Sequence, residues 1–176
     1  MSEPVFRPAA PGDVPALHGL IESAYRGDSA KAGWTHEADL LGGQRTDEAE
    51  LGGLIADPSR AILLAEADGA LVGCVQVESR GEGLAYLGLL TVDPERQAGG
   101  LGRRLIEAAE AEAVSRFAAD RMEMTVIRKR AELIAWYERR GYAQTGETRP
   151  FPFDETTFGL SPDQDLTFVV MEKALT

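Results

Sequence analysis

The stretch RAILLAEADGALVGCVQVES, residues 60–79, constrains the fold more than any other part of the chain. Two apolar runs, Ala61–Ala65 and Leu71–Val77, flank the dipeptide Asp68-Gly69. Asp-Gly accepts the two left-handed backbone positions of a type I′ turn, whose twist matches that of the paired strands it joins. An antiparallel hairpin is therefore expected here. It argues against a purely parallel, doubly wound sheet, in which successive strands need a long crossover.

The neighbouring segments extend this pattern. LAYLGLLTV predicts a third strand over Leu84–Val92, stopped by Asp93-Pro94. VFRPA predicts a short strand near residue 5. Asp13 is read as the cap of a helix on which Leu17, Leu20, Ile21 and Tyr25 recur at helical spacing, ending near Gly27. Residues 29–59 read as loop plus two short helices, the first capped by Thr35, the second by Thr46 or Asp47. A long helix runs from near Gly100 to about Phe117, with Leu101, Leu105, Ala108 or Ala109, Ala113 and Phe117 on one face. RMEMTVI is then a strand, RAELIAWYERR a helix ended by Gly141, YAQTGE a short strand and DLTFVVMEKAL a final strand. The long segment TRPFPFDETTFGLSPDQ lies between the last two. The class is α+β, with a meander of antiparallel strands followed by strand–helix–strand–helix–strand–strand.

Composition narrows the function. A chain of 176 residues with 44% hydrophobic and 27% charged residues suits one globular domain spanning residues 1–176. No apolar run reaches the ~20 residues of a membrane span. The first residues lack a basic segment followed by an apolar one, and Cys74 is the only cysteine, so a cytoplasmic protein is expected. A net charge of −11 argues against nucleic acid as partner. Two histidines without clustered acids or cysteines predict no metal. Positive charge gathers at Arg96, Arg103 and Arg104, at Arg128, Lys129 and Arg130, and at Arg139 and Arg140.

The first of those clusters flanks QAGGLG, residues 97–102. Glycines before a helix either cap it or let its backbone N–H groups approach an anion. The motif is neither Gly-x-Gly-x-x-Gly nor a P-loop. Gln97-x-x-Gly100-x-Gly102, placed after a strand ending Leu-Thr-Val-Asp-Pro, resembles the Arg/Gln-x-x-Gly-x-Gly/Ala motif of the GNAT superfamily of N-acetyltransferases. The segment AWYERRGYAQTGE resembles the helix and strand that end those enzymes. The likeness covers roughly residues 60–147 and is weak outside them.

The resemblance implies a three-layer α/β/α domain whose mixed, mostly antiparallel sheet is splayed around acetyl-coenzyme A. Its cofactor-binding core would span about residues 60–147, with acceptor-side elements at about 10–56 and 148–165. Backbone amides of Gln97, Ala98, Gly99, Gly100, Leu101, Gly102 and Arg103 would grip the pyrophosphate. Leu90, Thr91 and Val92 would run beside pantetheine, with an N–H near Leu90 polarising the thioester carbonyl. Gly88 is the expected place for the bulge that starts the splay. Arg130 stands where many members carry Asn, and would either reach a phosphate or lie exposed. The resemblance also allows a homodimer.

Amine attack on a thioester needs positioning, a neutral amine, and stabilisation of both the oxyanion and the leaving thiolate. Tyr137 is the candidate acid. Its reference pKa of about 10 against about 8.5 for a thiol makes full proton transfer uphill by ~2 kcal/mol in water, so a strong hydrogen bond to the thiolate is expected. An alkyl amine is mostly protonated at neutral pH, so a carboxylate must take its proton, directly or through water. Glu78 and Glu37 are the leading candidates, with Glu82, Asp39 and His36 beside them. The function implied is acetyl transfer to a primary amine of a small molecule or peptide. The alternative is a non-catalytic acyl-coenzyme A sensor.

Overall fold

A computed structural model of the chain describes residues 3–25, 47–93, 100–149 and 167–175. Seven strands form one sheet: β1 (Val5–Pro8), β2 (Arg60–Ala67), β3 (Ala70–Gly81), β4 (Leu84–Val92), β5 (Arg121–Ile127), β6 (Ala143–Arg149) and β7 (Phe168–Ala174). Their spatial order is β1-β2-β3-β4-β5-β7-β6. Every pairing is antiparallel except β4 with β5. The α-helices among the described residues are α1 (Val14–Tyr25), α2 (Glu48–Ala56), α3 (Leu101–Phe117) and α4 (Ala131–Arg139).

The expected hairpin is present. Asp68 and Gly69 have φ of 55° and 80°, and Ala67 pairs with Ala70. A second turn of the same kind joins β3 to β4, with φ of 55° at Glu82 and 82° at Gly83. It ends strands whose length the apolar runs alone understate.

The sheet is covered on both faces. Leu63, Ala65, Val75 and Val77 join Leu105, Ile106 and Ala109 of α3 and Leu133, Ile134 and Tyr137 of α4 in one core. Ile62, Leu64 and Cys74 join Leu17 and Ile21 of α1 and Leu51 of α2 in the other. Two-sided burial explains why β2 and β3 read as nearly continuous apolar runs. The result is an α/β/α arrangement.

Asp13 corrects one expectation. It does not cap α1 but ends a 3-10 turn, Pro11–Asp13, that runs straight into it. Its carboxylate instead accepts the Ala10 N–H at 2.8 Å and binds Arg7. Asp47 does cap α2, accepting the Glu50 N–H at 2.7 Å. The helix expected after Thr35 lies outside the described residues.

Candidate active site

The site begins where β4 and β5 part. They pair only from Leu84–Tyr86 to Arg121–Glu123. The cause lies on the other side of β4. Gln76 pairs with Gly88 and Cys74 with Thr91, so Leu89 and Leu90 together oppose Val75. This is a β-bulge, which bends its strand. The bulge falls just after Gly88, but its left-handed residue is Leu89, at φ 51°. That conformation costs a non-glycine residue about 1–2 kcal/mol. Bonds to the Leu89 carbonyl hold it: the Thr91 hydroxyl donates at 2.9 Å and the Cys74 thiol at 3.5 Å. At the apex, the Tyr86 hydroxyl and Thr125 Oγ1 are 2.7 Å apart, joining the two strands where the backbone ladder stops.

Beyond Val92 the chain leads to the N-terminus of α3. Gly100 occupies the cap position at φ 75°, ψ 14°, with no side-chain cap and no acidic residue in the first turn. Helix α2, by contrast, has Asp47 as its cap and Glu48 and Glu50 in its first turn. The partial positive end of α3 is thus not neutralised by its own first turn. Gly102 serves packing. It is buried, and a Cβ there would lie 3.4 Å from two ring carbons of Trp136 on α4. Gly73 seats the helix from below: a Cβ there would meet Leu105 Cδ1 at 2.9 Å and the Thr91 carbonyl at 3.0 Å. Leu101 is buried and Arg103 exposed. Arg104 turns to Glu3, at 2.8 Å, and to the Phe6 ring. Gln97, Ala98 and Gly99 lie outside the described residues.

Tyr137 is buried in the α3–α4 core. The Trp136 and Tyr142 rings meet it edge-on, with centroids 5.1 and 6.2 Å away. Tyr142 is itself anchored, donating to Glu110 Oε2 at 2.9 Å, while Lys173 holds the same carboxylate at 3.0 Å. Burial, then the Glu110 charge, pushes the Tyr142 hydroxyl far above its ordinary pKa, so it stays protonated as a donor. Arg130 is buried at the head of α4, with Nε 3.1 Å from Glu132 Oε1.

Glu78 lies on the opposite face of the sheet. It faces Tyr86, which in turn faces Glu123 on β5. Both Glu78 oxygens are taken by guanidinium groups, Oε1 by Arg80 and Oε2 by Arg60, each at 2.7 Å. Glu123, 5% exposed, binds Arg149 at 3.0 Å. Glu82 stands in the exposed hairpin turn. Glu37, His36 and Asp39 lie outside the described residues. The sequence reading overlooked Gln76, Trp136 and the Tyr86–Thr125 bridge. Gln76 carried a visible signal, a polar residue between two valines of an apolar strand.

Among the described residues, no group of three or more His, Cys, Asp or Glu could hold a metal. No described helix is long and apolar enough to cross a membrane.

Known proteins bear on this geometry. Residues 19–142 match the model of the acetyltransferase (GNAT) family. The chain belongs to that family. Solved structures share its fold. The ribosomal-protein-S18-alanine N-acetyltransferase of Escherichia coli superposes with a TM-score of 0.72 at 17% identity, over 99% of this chain and 95% of the other. A mutant of the Vibrio cholerae spermidine N-acetyltransferase gives 0.71 at 18%, over 99% and 95%. The Salmonella typhimurium protein yncA, solved with its cofactor acetyl-CoA, gives 0.71 at 16%, over the same shares. No curated protein matches the chain in sequence.

Proposed function

We propose that this protein transfers an acetyl group from acetyl-coenzyme A to a primary amine of a small molecule or peptide, by direct attack in a ternary complex. The carrying observation is that the parting of β4 from β5 and the start of α3, whose cap residue Gly100 has no side chain, follow one another along the chain. A strand edge leaving its neighbour offers backbone groups to the amides of pantetheine. A helix with no acidic residue in its first turn offers N–H groups to a pyrophosphate. The six residues Leu87–Val92 span about 20 Å as a strand, enough for an extended arm between the two. The residues present therefore fit the donor.

Acetyl-coenzyme A would supply an activated acyl group on a good leaving thiolate. Gly100, Leu101, Gly102 and Arg103, together with Gln97, Ala98 and Gly99, would hold the pyrophosphate. Leu90, Thr91 and Val92 would hold pantetheine, with Arg130 contributing a buried positive charge. Tyr137 would donate to the leaving sulfur. The core would occupy residues 60–147, with acceptor elements at 10–56 and 148–165.

Glu78 fits a charge-holding role better than proton acceptance, because each of its oxygens already binds an arginine. The base is then Glu37, with Asp39, His36 and Glu82 as the other candidates, acting directly or through water. Spermidine and a ribosomal-protein alanine, the acceptors named for structural relatives, are a small amine and a peptide amine, in keeping with this acceptor class.

The test is free-thiol release from acetyl-coenzyme A across a panel of amines. An active amine should be found, and Tyr137→Phe should lower kcat with it by about a hundredfold or more while acetyl-coenzyme A still binds. Binding of acetyl-coenzyme A with no amine accelerating thiol release would defeat the transfer reading. Unchanged kcat in Tyr137→Phe would remove Tyr137 as the acid.

A further inference from the structure

Four polar side chains are buried among the described residues: Gln76, Thr91, Glu123 and Arg130. Thr91 and Glu123 have the partners named above, and Arg130 binds Glu132 through Nε, while its Nη1 makes no hydrogen bond with any described residue. Gln76 is 6% exposed, and its Oε1 accepts no hydrogen bond from any described residue. A buried carbonyl without a donor loses its hydration and gains nothing in return. Native structures keep such a group where something else completes it.

Its position says what completes it. Gln76 lies opposite Gly88, the residue just before the bulge and two residues past Tyr86, where β4 leaves β5. Cross-strand partners share a sheet face. Val75 and Val77 belong to the core under α3 and α4, so alternation along β3 puts Gln76 on the other face, away from Tyr137. A Cβ built on Gly88 would lie 3.4 Å from Gln76 Nε2 and 3.4 Å from Tyr86 Cε1. The missing side chain at Gly88 thus leaves room beside Gln76 Nε2 and the Tyr86 ring, and a half-turn of the amide about its last side-chain bond brings Oε1 to that room.

We infer that Gln76 orients the acceptor, its Oε1 accepting an N–H from the primary amine that attacks. This rests on the acetyl-transfer reading. A neutral primary amine has two N–H donors and one lone pair. Tying one N–H to a fixed carbonyl binds the amine and aims its lone pair at the thioester. An amide takes no proton, so Gln76 orients without serving as the base. Glycine at position 88 keeps the place open.

The experiment compares Gln76→Met and Gln76→Glu with the wild type, using the best amine from the thiol-release panel. Met keeps the length and removes the acceptor, whereas Glu keeps acceptor oxygens. Gln76→Met should raise KM for the amine about tenfold or more, leave KM for acetyl-coenzyme A unchanged, and leave Tm equal or higher. Gln76→Glu should keep the amine KM within about threefold of wild type; if it fails to fold, the Met variant decides alone. An unchanged amine KM in Gln76→Met overturns the inference. So does a lowered Tm with both KM values rising together, which would mark Gln76 as structural. Wild-type protein inactive with every amine defeats the transfer reading and this inference with it. An active wild type whose Met variant behaves normally defeats only the inference.

Discussion

At the scale of single residues, the glycines near the start of α3 do different work. Gly100 has a left-handed backbone, and no described residue lies within 4 Å of a built Cβ. Aspartate tolerates that backbone better than most residues and favours helix starts. Gly100→Asp should therefore fold with Tm close to wild type. It also places a negative charge where the pyrophosphate is proposed to sit, so calorimetry should show coenzyme A binding weakened about tenfold or more. Unchanged affinity in the folded variant would remove this helix start as the phosphate seat. Sequence pattern alone did not separate Gly100 from Gly102. The first adopts a left-handed φ, whereas the second lies against Trp136, a contact made by a helix outside the motif. The same is true of Glu78, whose fitness as a base depends on arginines 18 residues before it and two residues after it.

At the scale of elements, α3 must sit close to the sheet for its first turn to meet the end of β4. Gly73 permits this. Its α-carbon faces both Leu105 of α3 and the Thr91 carbonyl of β4, and the carbonyl cannot move aside as a side-chain end could. Gly73→Ala should cost about 1–3 kcal/mol of stability in urea unfolding. It should also weaken coenzyme A binding, because the strand it displaces carries the bulge. Loss of stability with full affinity would show that α3 and β4 adjust independently. The elements were largely legible in the sequence because local rules governed them. Asp-Gly made a hairpin, Gly141 ended α4, and Asp47 capped α2. The 3-10 turn at Pro11–Asp13 was not legible, because Asp13 is recruited by Arg7 from the preceding strand. The bulge was legible only as a glycine. That its strained residue is Leu89 depends on Cys74 and Thr91 gathering at one carbonyl.

At the scale of the molecule, the sheet has two halves joined by the short β4–β5 pairing, with four-residue β1 at one edge. Arg7 ties that edge down. It binds Asp13 at the entry to α1 at 2.8 Å and Glu66 on β2 at 2.6 Å. The guanidinium, then the Ala10 N–H, hold the Asp13 carboxyl at about 2, below its ordinary value. A carboxyl depressed in the folded state favours folding while it is ionised in both states. Its contribution is present above about pH 4 and is lost as pH falls through about 2. Asp13→Asn should therefore lower Tm by a few degrees, roughly, near neutral pH. The difference from wild type should shrink below about pH 4 and vanish near pH 2. The comparison is a set of thermal unfolding curves for the two proteins across that range. A Tm gap that stays constant down to pH 2 would mean that Asp13 acts through shape rather than charge. The gap is expected to close because Asn, like a protonated Asp13, keeps one acceptor oxygen and presents a donor in place of the other.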